Sequence, residues 1–223
     1  MNISFRWYSI KKSDKAISAR SLLDSMRKYS TQDTWFTASK DAATHKFYRR
    51  VQIVIPEIDE EGSEGSRTID SLSSVEFAVV EAGAITLLRV HNPGRNMQAL
   101  MSSIERAVGR GFSARPLTFN DGQPSSILNK ADIKRLVGVK LINVAVSNDC
   151  VGRMEFASKI GIDLSKLRFL RDLKYSIDHM KYEVVINGER GAFSFSSNGL
   201  IKVGGTLSPL IIHELQRDLA REA

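Results

Sequence analysis

The sequence predicts an α+β fold in which mostly antiparallel sheets carry amphipathic helices on their faces. Many short runs rich in β-branched and aromatic residues alternate with polar positions, as half-buried strands do. Asn187-Gly188 and Asn198-Gly199 are strong hairpin turns that join neighbouring strands directly. Apolar residues at helical spacing occur in fewer places, and a content of 42% apolar and 26% charged residues suits a folded core.

The chain begins with a strand, a helix and two further strands, predicted at residues 2–10, 17–29, 34–39 and 46–55. Pro56 is expected to end the last of these strands, because a proline nitrogen cannot donate to a strand ladder. Residues 57–66, EIDEEGSEGS, are acidic and rich in glycine and serine. They predict a flexible, solvated loop.

A hairpin and a capped helix are predicted in the middle of the chain. The two strands of the hairpin lie at residues 75–80 and 84–91. Asn92 is a favoured N-cap and Pro93 a favoured first helical residue, so together they predict the start of the helix. An apolar stripe follows at helical spacing, formed by Met97, Leu100, Met101, Ile104 and Val108. Gly109 and Gly111 are expected to end this helix.

Residues 111–119 predict another strand, and the turn-forming residues 120–124 mark the best candidate boundary between domains. The chain therefore divides into an N-terminal α+β domain, residues 1–122, and a C-terminal basic α+β domain, residues 123–223. The second domain is predicted to hold a short helix or strand lead-in at 129–136, a strand at 137–146, a helix at 162–175, strands at 182–186, 192–195 and 200–203, and a helix at 208–221.

Positive charge is concentrated in the middle of the chain. The net charge is +7, and residues Arg89 to Lys181 hold 16 Lys+Arg against 8 Asp+Glu, whereas the rest holds 16 against 17. Such a regional excess is either an electrostatic footprint for phosphates or a solvated basic surface. The candidate nucleic-acid-binding residues are Arg89, Arg95, Arg106, Arg110, Arg115, Lys134, Arg135, Lys140, Arg168, Arg171 and Lys174.

Several kinds of site have no support in the sequence. The single cysteine, Cys150, can form neither an internal disulfide nor a cysteine-cluster zinc site, and the four histidines are scattered. The phosphate-cradling loop, the nucleophile elbow and the H-E-x-x-H motif are all missing. We therefore predict no catalytic residue, no metal and no cofactor. The start of the chain lacks a signal-peptide pattern and no apolar run spans a bilayer, so a soluble cytoplasmic protein is expected.

The order of elements resembles the Rex-type phage-exclusion sensor proteins of temperate phages. The matching segments are SLLDSM at 21–26, KFYRRVQIVI at 46–55, EFAVVEAGAITLLRVHNPGRNMQALMSSI at 76–104, DIKRLVGVKLINVAV at 132–146 and FSFSSNGLIKVGGTLSPLIIHEL at 193–215. The resemblance covers most of the chain with sparse identity. It implies a homodimeric, largely sequence-nonspecific DNA binder, related in architecture to ring-forming recombination regulators. It carries over no catalytic residue.

The leading hypothesis is a non-enzymatic protein of phage defence or phage–host conflict that binds duplex DNA through phosphates. The sequence does not separate DNA from RNA. One alternative is a protein-interaction subunit of a defence or toxin assembly, whose basic region docks an acidic partner. Another is a divergent nuclease, for which the candidate acids are Asp70, Glu76 and Glu81.

Overall fold

Antiparallel strands dominate the fold, as the sequence predicts. The computed structural model describes residues 3–38, 44–58, 62–94, 97–119, 124–147 and 149–222. Within these residues every strand pair whose register is known is antiparallel, and four α-helices accompany the strands. The mixed class is confirmed, with strand as the larger part.

The chain forms two compact units. The N-terminal unit is Ile10–Ala114, and the C-terminal unit combines Met1–Ser9 with Arg115–Ala223. The first strand thus begins in one unit and ends in the other. The predicted division at 122/123 stays a prediction, and residues 120–123 lie outside those that the structure describes.

The N-terminal unit is an antiparallel meander with two helices. Strands β3, β4, β5 and β6 are neighbours in that order, and α1 packs on α2, β3 and β5. The end of β1 pairs with the short β2. The elements are β1 (Ile3–Lys12), β2 (Lys15–Ala16), α1 (Ala19–Lys28), β3 (Thr34–Ala38), β4 (His45–Ile58), β5 (Glu64–Ala82), β6 (Ile85–His91), α2 (Met97–Val108) and β7 (Phe112–Pro116), which runs on into the other unit.

The C-terminal unit is an antiparallel sheet with helices on one face. Its strand order is β1, β12, β11, β10, β8, β9. The elements are α3 (Ser125–Lys130), β8 (Ile133–Ser147), β9 (Cys150–Ala157), β10 (Ser176–Ile186), β11 (Glu189–Ser196), β12 (Leu200–Gly205) and α4 (Ser208–Glu222).

Helix α4 approaches its sheet closely because residue 191 is glycine. A Cβ atom there would lie 2.7 Å from Ile211 Cδ1 and 2.9 Å from Leu207 Cβ. Both of these side chains are buried, as are Phe193 and Val203 on the strands beneath them. The core of this unit therefore lies between α4 and the sheet. The opposite face of the sheet, called the outer face below, carries the polar residues of the same strands.

The predicted helix at 162–175 is wrong. That segment forms two short 3₁₀ turns at Leu164–Lys166 and Arg168–Leu170. Its leucines recur every third residue, which is the repeat of a 3₁₀ turn and not of an α-helical stripe. Gly161, at a φ of +115°, and the Asp163 carboxylate, which accepts a hydrogen bond from the Ser165 amide, fix the start of the first turn.

Three predictions around the N-terminal unit's turns also fail. Asn92 adopts a positive φ of 45° and does not cap α2, which begins at Met97. Pro56 does not end its strand but pairs with Ser66. Both ends of the predicted acidic loop are strand, because β4 runs to Ile58 and β5 starts at Glu64, while residues 59–61 lie outside the described part of the chain. A proline is tolerated there since no described strand uses the other edge of β4.

Helix α3 is tied to α4 at both of its ends. The Asp218 carboxylate accepts hydrogen bonds from the hydroxyl of Ser126 and, at 2.9 Å, from the Ser126 amide. At the other end Lys130 Nζ lies 2.8 Å from Glu214 Oε1. Both carboxylates are buried, and they are four residues apart on α4, so they share one face of that helix.

We expect Asp218→Ala to lower the free energy of unfolding by about 2 kcal/mol. It removes a helix N-terminal cap and leaves two buried donors of Ser126 without an acceptor. Urea unfolding followed by circular dichroism measures the change. Arg221→Ala, an exposed change one turn along the same helix, is the matched control. Equal stabilities for the two variants contradict this role of Asp218.

Candidate nucleic-acid interface

The predicted binding residues are divided between the two units. Arg89, Arg106 and Arg110 belong to the N-terminal unit, and Arg95 lies outside the described residues. The C-terminal unit holds Arg115, Lys134, Arg135, Lys140, Arg168, Arg171 and Lys174, all of them exposed. The sequence window with the charge excess therefore crosses from one unit into the other.

Arg89 is a poor candidate for an open phosphate contact. It is half-buried on β6, and burial lowers the pKa of its guanidinium. On the same strand His91 Nδ1 lies 3.2 Å from Glu76 Oε1. Burial, followed by the charge of Arg89, lowers the pKa of His91 against the opposing effect of Glu76. These residues form a local polar cluster within the unit. Arg106 and Arg110, at the C-terminal end of α2, are exposed and also suit the helix dipole.

Three lysines meet on the outer face of the C-terminal unit's sheet. Lys140 on β8 is directly opposite His179 on β10. Lys181, two residues further along β10, is opposite Ser194 on β11, and Ser194 is in turn opposite Lys202 on β12. We call Lys140, His179, Lys181 and Lys202 the basic face. Diagonal side chains on adjacent strands are about 7 Å apart, so Lys140 and Lys181 are near neighbours, whereas Lys202 lies two strands from Lys181, about 10 Å away.

The strand register confirms that these side chains share one side of the sheet. An ideal Cβ on Gly138, the residue opposite Lys181, would be 3.4 Å from Lys181 Cβ, so the lysine stem lies beside this glycine. Ser194 is buried although it belongs to the outer face, with Lys181 on one side and Lys202 on the other. Alternate residues of β10, such as Met180 and Tyr182, are buried on the helix-covered side.

His179 reports the positive potential of this face. Burial lowers its pKa, and the charges of Lys140 and Lys202 lower it further, against opposing effects of Asp178 and Glu155. The imidazole is therefore held neutral near pH 7. Because the charges of Lys140 and Lys202 disfavour the protonated form of His179, the same charges favour an anion at this place.

Acidic residues lie at the margins of the basic face. Glu155 on β9 forms an ion pair of 3.1 Å with Lys140. Asp178 accepts a hydrogen bond of 2.8 Å from the Ser197 hydroxyl. Both acids reduce the positive potential near His179, but Lys181 and Lys202 are flanked directly only by Gly138, Ser194 and Ser4.

A shallow depression of about 350 Å³ lies beyond the lysines on the same sheet. Arg135 and Arg190 line it, together with Glu183 and the glycines at 191, 204 and 205. Glu183 is directly opposite Arg135 across the two strands. Ile133, Val184, Val185 and Ala192 complete the lining, so the depression is partly apolar and carries two guanidinium groups.

Arg6 on β1 is another cation of this sheet that the sequence did not indicate. It follows Ser4, the residue opposite Lys202, by two positions, so it lies on the same side. Its Nε is buried and donates to no acceptor among the described residues.

Sequence reasoning missed His179, Lys181 and Lys202 as binding residues. Lys181 and Lys202 occupy the polar positions of alternating strands, which is a pattern visible in the sequence around each of them. Their proximity is not visible there, because it depends on the order and register of β10, β11 and β12.

The acids proposed for a nuclease do not converge. Asp70, Glu76 and Glu81 are all on β5, and Asp70 is eleven residues from Glu81, about 36 Å along an extended strand. Glu81 accepts a hydrogen bond of 2.8 Å from the Ala19 amide at the start of α1. These three acids cannot share one metal ion, and the described residues contain no cluster of three or more potential metal ligands.

Cys150 is exposed at the start of β9, a strand that the sequence did not predict.

Among the described helices none is long and apolar enough to cross a membrane.

No protein-family model matches the chain, and no curated protein matches it. A solved structure with some likeness is that of DynU16, a protein in the dynemicin biosynthetic locus. It is 12% identical, the match covers 96% of this chain and 93% of that one, and the TM-score is 0.22. A likeness at this level supports no conclusion about fold or function.

We expect Lys202→Gln to raise the pKa of His179, because it removes one of the two cations that oppose protonation. The pKa is measured by NMR from the pH dependence of the imidazole chemical shifts. Lys159→Gln, an exposed change on the same unit outside the basic face, should leave it unchanged. An identical His179 pKa in all three proteins contradicts the assigned geometry.

Proposed function

We propose that the chain is a non-enzymatic nucleic-acid-binding protein that holds duplex DNA by its phosphates, with the basic face as the contact surface. The observation that carries the proposal is the alignment of Lys140, Lys181 and Lys202, from three strands, on one side of the sheet. A setting in phage defence or phage–host conflict is proposed on the resemblance of the sequence.

The residues around the lysines favour phosphate contacts over base contacts. The positions directly opposite them are Gly138, His179, Ser194, Ser4 and Glu155, none of which is Phe, Tyr or Trp. The half-buried imidazole of His179 is the one ring at these positions, so splayed bases of a single strand have little to stack on. Contacts of lysine ammonium groups and serine hydroxyls with phosphate oxygens carry no direct base readout. Binding to a duplex should therefore be nonspecific.

The same residues argue against an acidic protein as the partner of this surface. A specific protein interface has a core of apolar and aromatic side chains with a polar rim. The neighbours of Lys181 and Lys202 are serine and glycine, so such a core is missing at the centre of the basic face. Polyglutamate as a competitor separates the two readings, because a phosphate-specific surface releases DNA to polyphosphate more readily than to polyglutamate.

Replacing Lys140, Lys181 and Lys202 by glutamine should weaken binding to a labelled DNA duplex about tenfold or more at moderate salt. The slope of log affinity against log salt should become shallower by about 3, because about one phosphate contact is lost per lysine. Fluorescence anisotropy over a salt series measures both quantities.

The matched control for this triple variant replaces Lys15, Lys28 and Lys159, which are exposed lysines outside the basic face. Both triple variants have the same net charge, so a general charge effect would weaken them equally. Equal losses, or no duplex binding by the wild type at low salt, would contradict the proposed surface. Tighter binding to single-stranded than to duplex nucleic acid would contradict the duplex preference.

DNA affinity should rise as the pH falls from 8 to 6. In the free protein the pKa of His179 is lowered by burial and by the neighbouring lysines. A bound phosphate raises that pKa, so the complex takes up a proton and is favoured at lower pH. One linked proton limits the gain to about tenfold per pH unit.

His179→Gln is the test variant for this linkage. It should bind at pH 8 about as well as the wild type, and it should show a smaller gain at pH 6. His213→Gln, which changes an exposed histidine of α4, is the control and should keep the full pH dependence. A pH dependence that survives in His179→Gln assigns the proton elsewhere.

A further inference from the structure

The long strands β4 and β5 extend beyond the rest of their sheet as a two-stranded ribbon. It comprises residues 49–58 of β4 and 64–73 of β5, paired from Arg49 with Ser73 to Ile58 with Glu64. In the described part of the chain β3 pairs with β4 only as far as Arg49, and β6 pairs with β5 only from Phe77 onward. No described strand therefore continues along the edges of the ribbon.

One face of the ribbon has a symmetric order of side chains. Along β4 this face carries Arg49, Val51, Ile53, Ile55 and Glu57, that is, a cation, three apolar residues and a carboxylate. We call these five residues the ribbon stripe. Ile53 is at its centre, and reading the stripe backwards exchanges the two charges and also exchanges Val51 with Ile55.

The centre of the ribbon stripe is exposed although it is apolar. Ile53 is 48% exposed, and Ile69, its partner across the two strands, is 38% exposed. Val51 and Ile55, which flank Ile53 on this face, are partly exposed. An isolated apolar residue on a surface needs no explanation, but a contiguous apolar stripe on a projecting ribbon marks an interaction surface.

We propose that the ribbon stripe packs face to face against the same stripe of a second copy of this chain, in antiparallel orientation about a two-fold axis through Ile53. In this arrangement Ile53 contacts the partner's Ile53, and Val51 contacts the partner's Ile55. Arg49 then faces the partner's Glu57, and the reverse pair forms at the other end. A two-fold interface requires such self-complementarity, because each contact between unlike residues occurs twice.

Charge complementarity is what identifies the occupant as a second copy. A foreign partner places no requirement on the spacing of Arg49 and Glu57, whereas a two-fold contact needs them equidistant from the centre. Glu57 is also 3.0 Å from Arg67 of its own chain, which holds the carboxylate at the tip of the ribbon. The inference does not depend on the proposed DNA binding.

The size of the ribbon predicts a dimer that dissociates on dilution. From Arg49 to Glu57 the stripe is about 26 Å long, and two strands are about 10 Å wide. Two such faces together cover about 500 Å², which is below the range of stable specific interfaces, so the contact should be weak and form only at high protein concentration.

The first test compares two adjacent substitutions by sedimentation velocity over a range of concentrations. Ile53→Lys places two ammonium groups against each other at the axis, and the dimer should be lost. Val54→Lys introduces the same charge on the opposite face of the same strand, where Val54 is 62% exposed, and the dimer should persist. Circular dichroism confirms that both variants are folded.

The second test exchanges the charges at the two ends of the stripe. Arg49→Glu places a carboxylate opposite the partner's Glu57, and Glu57→Lys places a cation opposite the partner's Arg49 and beside Arg67 of its own chain, so each variant alone should be monomeric. An equimolar mixture should form a heterodimer, because every charged contact is again between opposite signs. The double variant, which carries both changes in one chain, should recover the homodimer.

Three results would overturn the proposal. The wild type could remain monomeric up to its solubility limit. Val54→Lys could abolish a dimer that Ile53→Lys keeps, which would assign the opposite face. The mixture of single charge variants could stay monomeric while the wild type dimerises, which would place the contact outside the stripe.

Discussion

The alternation of side chains across antiparallel strands is the constraint on which the C-terminal unit depends. On β10 Met180, Tyr182 and Val184 are buried beneath the helices, so the residues between them must face outward. A slip of one residue would bury Lys181 and expose Tyr182. The free-energy cost of both changes disfavours that register. The packing that stabilises the sheet therefore also positions the lysines, and the hydrogen-bonded register aligns them across β10, β11 and β12.

The same alternation explains why an apolar stripe is exposed in the N-terminal unit. Phe47 is fully buried on the side of β4 that faces the unit's core, and residues 51, 53 and 55 continue along that side. Phe47 is covered, whereas Ile53 is 48% exposed, so this apolar side of β4 continues beyond the part that the unit's own core covers. In the proposed dimer a second copy of the ribbon supplies the missing apolar contact. The opposite face, with Val54, has no such continuity with the core.

The elements that the sequence predicted well are those in which local pattern and tertiary packing agree. Leu22 and Met26 form the buried side of α1, and Asn187 and Gly188, with φ values of 52° and 79°, form the predicted turn. The errors occur where one residue type permits two outcomes. Asn92 suits both an N-cap and a left-handed turn, and only the chain around it decides. The basic face could not be derived from sequence at all, because only strand order and register place Lys140 and Lys202 on one face of the same sheet.

Charge counted along the chain is a poor guide to charge displayed on a surface. The window with the predicted excess crosses both units, whereas the C-terminal unit alone has 17 Lys+Arg against 12 Asp+Glu and the N-terminal unit 15 against 13. For phosphate binding, the net charge of a unit matters less than the distances between its cations, since salt screens exposed charges beyond about 8 Å under physiological conditions. On the basic face Lys140 and Lys181 are diagonal neighbours on adjacent strands, about 7 Å apart, so they reinforce each other at a phosphate, whereas Lys202 lies two strands from Lys181, about 10 Å away. Dispersed arginines such as Arg106 and Arg115 do not reinforce each other, however many of them the sequence contains.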